Sequence, residues 1–232
     1  MVAHFEKKKY ITRTFLICPT RESNTVFNNL KTLDEADTCE EDQHFQIALE
    51  QILQRIQEDW EHYEEEIKYT RVYKRYKQQK KPLSFKDVKI LEDHNYTKPT
   101  IPKKPGHMLI IDDAQGTDLY SNNRKEDLTN HITIKHRHIP LSICFLVQSW
   151  TGLPRVIRLN ATHFALYKTG DKRQLFQIYE AFGNIVSFEV FQQLYKQATR
   201  NPHDFLFIDT VPKEEYMRFR HDLNTYMSVE NN

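Results

Sequence analysis

Glycine is scarce in this chain of 232 residues: there are five, at Gly106, Gly116, Gly152, Gly170 and Gly183, and none is followed by lysine. The sequence therefore has no Gly-x-x-x-x-Gly-Lys-Ser/Thr, the turn whose backbone amides cradle phosphates at a helix N-terminus. Long apolar runs are missing as well; none approaches the roughly 18 residues needed to cross a bilayer as a helix. The opening stretch, Met-Val-Ala-His-Phe-Glu-Lys-Lys-Lys, has no apolar core of a signal peptide. A soluble intracellular protein with no membrane partner is expected. Cys18, Cys39 and Cys144 give an odd count without paired spacing, which excludes a disulfide framework. Cys18 and Cys144 lie inside apolar runs and read as reduced core residues, because a free cysteine packs as a small hydrophobe. Nor does one sign of charge dominate. With 33 basic against 32 acidic residues, the formal net charge of +1 announces no nucleic-acid partner, so any such partner must be met by a local patch.

What is present fits a globular protein: 39% hydrophobic and 12% aromatic residues can fill one sizeable core. A single domain over 1–232 is expected, with a helical insertion at 43–81 and a linker at 82–105. Tyr10 to Cys18 is an apolar run closed by Pro19-Thr20 and reads as a buried strand. From Gln43 onward, Phe45, Leu49, Ile52, Ile56, Trp60, Tyr63 and Ile67 recur at steps of three and four, one apolar stripe along a long helix. Acidic residues crowd its middle and basic residues, from Lys68 to Lys81, crowd its end, the order that suits a helix dipole. Tyr69, Tyr73 and Tyr76 interleave with those cations. Such a face either meets a DNA backbone without reading sequence or simply balances the acidic block in solvent. Pro82, Pro99, Pro102 and Pro105 then forbid a long regular element.

After Gly106 short apolar runs alternate with polar helical stretches, the pattern of strands and helices around a parallel sheet. Met108–Ile111 ends in Asp112-Asp113, Leu141–Val147 ends in Gln148, and His163–Tyr167 and Phe205–Ile208 follow. Asp127–Lys135, Leu175–Tyr179 and Phe188–Ala198 read as helices, the last opened by Ser187 as N-cap. In open parallel sheets the working residues gather at the carboxyl ends of strands. An acid at that position can hold magnesium through water, and a neighbouring acid can orient or deprotonate an attacking water. A carboxamide ending the next strand can sense a terminal phosphate. Each residue alone also fits a plain turn. Arg155 and Arg158 sit three apart on one helical turn, and either could be a surface residue or a cation offered to a phosphoryl group. His131, His136 and His138, with Cys144 nearby, match no paired zinc spacing.

Taken together, Met108–Asp113, Lys135–Ile143, Phe145–Ser149, Pro154–Asn160 with Thr162-His163-Phe164, Phe205–Thr210 and Arg218-Phe219-Arg220 resemble the ordered motifs of the genome-packaging ATPases of large DNA viruses, virophages and related mobile elements. These belong to the FtsK/HerA superfamily of DNA translocases. The resemblance spans roughly 105–220 and is fainter at Tyr10–Thr20. It implies an α/β, RecA-like parallel sheet flanked by helices, from which the N-terminal phosphate-loop strand is missing. It further implies Asp112 as the magnesium-linked acid, Asp113 as catalytic acid or base, Gln148 as sensor, and Arg158, rather than Arg155, as the arginine reaching a neighbour's site. Mg2+ and ATP are the implied cofactors. Double-stranded DNA, a homo-oligomeric ring and capsid proteins are the implied partners, in host cytoplasm, viral factory or virion. In that family the missing strand lies inside the sheet, so Leu141–Val147 and the final strands are expected to lose a shared neighbour, leaving the chain less stable or its sheet altered. The alternative is a non-catalytic, truncated or split product that is complemented by a separate loop-bearing chain.

Overall fold

The computed structural model describes residues 10–20, 25–39, 44–78, 82–120, 128–135, 139–182 and 185–227. The chain divides into two compact units, one drawing on Val2–Ile111 and His136–Cys144, the other on Asp112–Lys135 and Phe145–Asn232. No helix among the described residues is long and apolar enough to cross a membrane.

The first unit is built on a parallel sheet. Its strands are β1 (Arg13–Ile17), β2 (Leu33–Cys39), β3 (His107–Asp112) and β4 (Leu141–Leu146), in the order β2-β1-β3-β4. β1 runs parallel to both neighbours, pairing Arg13 with His107 and Ile17 with Ile111, and Ile17 with Cys39. β1 and β3 are almost wholly buried, as their unbroken apolar runs require of central parallel strands. β2 was invisible to the pattern because Leu-Asp-Glu-Ala-Asp-Thr-Cys has no apolar run; as an end strand it buries only Asp37 and Cys39. None of the three cysteines forms a disulfide; Cys18 and Cys39 are buried and Cys144 partly so. Gly106 feeds the chain into β3 where no other residue fits: a Cβ there would overlap the Tyr10 carbonyl. Its own carbonyl accepts from the amides of Thr12 and Arg13 at 2.7 and 3.2 Å.

Helix α1 (Phe45–Gln78) spans 34 residues and buries Phe45, Leu49, Ile52 and Ile56 from the expected stripe. The segment expected as a linker contains a second helix, α2 (Phe85–Asp93), opened by a complete capping box. Ser84 Oγ accepts from the Asp87 amide at 3.2 Å, and the Asp87 carboxylate accepts from the Ser84 amide at 3.2 Å. Ser84-x-x-Asp87 was the available signal, and the prolines masked it. Leu91 of α2 packs with Tyr69 and Val72 of α1, and the Tyr69 ring stacks on His94 at 3.9 Å.

A charged cluster joins α1 to the sheet. Arg13 grips Asp37 with two bonds, Nε–Oδ2 at 2.7 Å and Nη2–Oδ1 at 2.8 Å. Its Nη1 reaches Asp59 of α1 at 3.2 Å, and Asp59 also meets Nε2 of the fully buried His107 at 2.9 Å. Arg55 adds a bond to Asp37 at 2.9 Å. The Asp37 side chain is only 3% exposed, so its charge depends on these two guanidinium groups.

The second unit carries α3 (Leu128–Lys135), α4 (Arg155–Asn160), α5 (Lys172–Ala181) and α6 (Phe188–Ala198) with strands β5 (His163–Tyr167), β6 (Phe205–Asp209), β7 (Phe219–His221) and β8 (Thr225–Tyr226). Here the expectation of one parallel sheet is corrected: β5 to β8 form their own sheet, antiparallel throughout. Both helices expected between β5 and β6 are present, and after the pair the chain re-enters from the opposite end and pairs His163 with Asp209. Both helices are capped as their sequences indicate, α5 by Asp171 and α6 by Ser187. Phe191, Leu194, Leu206, Ile208 and Phe219 are central to this unit's core.

Two expectations follow. Arg13→Ala should lower unfolding free energy by about 3 kcal/mol, the low end for breaking a buried pair because Arg55 still reaches Asp37; a urea titration at neutral pH measures it. Hydrogen bonds from Ser84 hold the Asp87 carboxyl below its ordinary value of 3.8. The cap's contribution is therefore present at neutral pH and is lost as pH falls through that lowered value. Ser84→Ala should weaken this acid dependence, leaving the part supplied by the residue-84 amide and Arg75, and speed amide hydrogen exchange in the first turn of α2, with no such change in α6.

Candidate functional site

Asp112 closes β3, and the chain then turns sharply through Asp113. Asp113 lies at φ 50°, in the left-handed region that costs an ordinary side chain about 1–2 kcal/mol. Its amide donates to the Leu146 carbonyl at 3.3 Å, at the end of β4. The carboxylate Oδ1 accepts from Gln148 Nε2 at 3.0 Å. The two strand-end groups singled out from sequence are thus in direct contact, with Asp113 half-buried and Gln148 exposed. Gln115 fixes the same neighbourhood by donating to the Ser149 carbonyl at 3.1 Å, and Thr117 ties the turn by donating to the Ala114 carbonyl at 2.7 Å.

A residue not anticipated from sequence joins this group. Tyr120 ends the short 3-10 turn Asp118–Tyr120, and its hydroxyl is shielded from solvent without a hydrogen-bond partner. Burial first, and the negative charge of Asp112 second, push the phenol well above its ordinary value of 10. It stays protonated at any physiological pH and is a donor beside an acid. Nothing in the spacing of a lone tyrosine eight positions after Asp112 marked it.

Arg158 sits elsewhere within this unit. Its guanidinium carbon lies 5.2 Å from the centre of the Trp150 ring, and its Nε is buried without a hydrogen bond. Arg155 is exposed. A reach by Arg158 to another subunit requires it to leave the Trp150 face, whereas Arg155 needs no such release. Arg218 and Arg220 are engaged locally: Arg218 donates to Glu215 at 2.8 Å and to the carbonyls of Asp209 and Thr210, and Arg220 packs on Phe207 and Tyr226. His131 is exposed; His136 and His138, weighed from sequence as metal ligands, lie outside the described residues.

No known protein family, curated protein or solved structure matches this chain. Function must therefore be argued from the groups themselves. Asp112 and Asp113, consecutive at the end of β3, offer carboxylate oxygens of the kind that hydrated Mg2+ prefers, and Gln148 adds a carboxamide in contact with Asp113. They do not fit a triphosphate. No glycine of the sequence is followed by lysine, so the described residues offer no amide cradle with a lysine at a helix N-terminus.

The strain at Asp113 gives a test. Asp113→Gly should melt at or above the parent temperature, because glycine adopts φ 50° freely. Asp113→Val should be destabilised by about 1–2 kcal/mol. Differential scanning calorimetry separates the two, and equal losses in both variants would show that the conformation stores no strain.

Proposed function

We propose that this chain is the part of a DNA-packaging ATPase that bears the magnesium-linked acid, the water-orienting acid and the sensor, with the phosphate-binding loop supplied from outside the sequence described here. The observation that carries the reading is the Gln148–Asp113 hydrogen bond at 3.0 Å, which joins the ends of the neighbouring strands β3 and β4 at a strained acidic turn. Phosphoryl transfer asks for positioning and electrostatics more than covalent chemistry, and this is the hardware for positioning a water. Asp112 would hold Mg2+ through water, Asp113 would orient or accept a proton from the attacking water, and Gln148 would keep the Asp113 carboxylate aimed. Tyr120 would donate to a water or to Asp112. The RecA-like character of the fold belongs to the same proposal. It is supported by the parallel order β2-β1-β3-β4, which sets the acid-bearing β3 beside the sensor-bearing β4.

For DNA, the reading relies on Lys68, Arg71 and Lys74, which remain exposed on α1. Arg75 is already paired with Asp87 at 2.8 Å, and Lys77 lies over the rings of Tyr73 and Tyr76. Exposed cations on one helix supply sequence-independent phosphate contacts.

A second reading, a non-catalytic module completed by a loop-bearing chain, is favoured by a separate observation. β4 is an end strand of its sheet and β5 an end strand of its own. Both are apolar in sequence yet only partly covered: Leu146 is 40% exposed and Tyr167 57%. End strands of this kind accept another strand.

ATP hydrolysis decides. The tagged chain, isolated from its native cells with whatever it binds, should hydrolyse ATP in the presence of Mg2+ and double-stranded DNA, while the purified chain alone should not. Asp113→Asn should cut the assembly's rate by about 100-fold or more without dispersing it. An assembly that is inactive, or indifferent to Asp113→Asn, would leave the binding-module reading standing and remove the catalytic one.

A further inference from the structure

Far along the chain from the acidic turn, three side chains converge where β6 begins and β7 ends. Asp204 immediately precedes β6, His221 is the last residue of β7, and Asp222 opens the turn into β8. Among the described residues, this is the group of three whose ligand atoms all lie within 4.8 Å of one another. His221 Nε2 stands 3.2 Å from Asp204 Oδ2 and 3.8 Å from Asp222 Oδ2. Donors on a tetrahedron of Zn–N and Zn–O bonds, about 2.0–2.1 Å long, are separated by about 3.3 Å; the His221–Asp204 spacing matches that, and the His221–Asp222 spacing is wider and would have to close around the ion.

The nitrogen sits between the two acids: Nε2 is shielded from solvent and faces both carboxylates, in ion-pair contact with Asp204 at 3.2 Å. Both carboxylates are held by other donors. Asp204 Oδ2 accepts from Asn201 Nδ2 at 2.8 Å. Asp222 Oδ1 accepts from the Phe205 amide at 3.2 Å, and the Asp222 backbone is fixed at φ 53° with its own amide donating to the Phe205 carbonyl at 3.0 Å. Outer partners of this kind orient ligands before a metal arrives. The three residues are each partly exposed.

We infer that Asp204, His221 and Asp222 form a binding site for a divalent transition-metal ion, Zn2+ foremost, that pins the start of β6 to the β7–β8 turn. One imidazole nitrogen with two carboxylates is a mixed N/O set. It favours Zn2+ over Mg2+ and Ca2+, which prefer oxygen alone, and over Mn2+ by the general order of affinities. The site is chemically separate from the Asp112–Asp113 turn and does not depend on any ATPase reading.

The test is calorimetric titration of the full chain, first stripped with EDTA, with ZnCl2. One ion should bind per chain, and its melting temperature should rise with Zn2+. Asp204→Asn and Asp222→Asn keep the side-chain shape and the local hydrogen bonding, and each should weaken Zn2+ binding by about 10–100-fold. His221→Ala should do the same, whereas Asp112→Asn should retain the Zn2+ affinity. Absence of binding at about 0.1 mM Zn2+, or binding unmoved by both isosteric variants, would overturn the site and leave an ion-pair cluster only.

Discussion

Arg13 shares one guanidinium between carboxylates from two different elements, Asp37 on β2 and Asp59 on α1, and the first unit is organised around that arrangement. β2 has almost no apolar surface to offer, so its place at the edge depends on the inward Asp37 finding cations. α1 is attached to the same point through Asp59 and Arg55. His107, fully buried at the start of β3, adds a fourth element of the cluster through Asp59. Ionic groups so placed contribute little net energy when complete, because desolvation offsets their attraction. Their absence is costly, since each remaining charge would be buried unpaired. They act as a specification of which strand lies beside which helix.

Apolar periodicity made much of this legible beforehand. β1, β3, β4, α1 and α6 stand where runs and stripes placed them, because burial of one face or both is what those patterns encode. β2 was hidden because its burial is ionic rather than apolar, and α2 because a cap and a single buried leucine, Leu91, form it amid prolines. The direction of β5 and β6 was misread although both intervening helices were legible. His163–Tyr167 and Phe205–Asp209 look the same whether paired parallel or antiparallel, and the two helices between them, which return the chain to the opposite end, were the signal passed over.

At the candidate site, residue identity was legible and geometry was not. Asp112, Asp113 and Gln148 could be chosen as strand-end polar groups, but no sequence rule places Asp113 in the left-handed region or Gln148 within a hydrogen bond of it. Tyr120 was missed because its value lies in an orphaned hydroxyl, a property of burial rather than spacing. Arg158 illustrates the converse. Its position in the motif pointed outward to a neighbour, while the structure lays it on Trp150 and leaves Arg155 exposed.

The ionic cluster also has a location. Arg13 and His107 are the first residues of β1 and β3, whereas Asp112 is the last residue of β3. The ionic anchor and the acidic turn therefore occupy opposite termini of one short strand. Substitutions at the acidic end leave untouched the charged contacts that set β1, β2, β3 and α1 side by side, so the two ends can be altered independently.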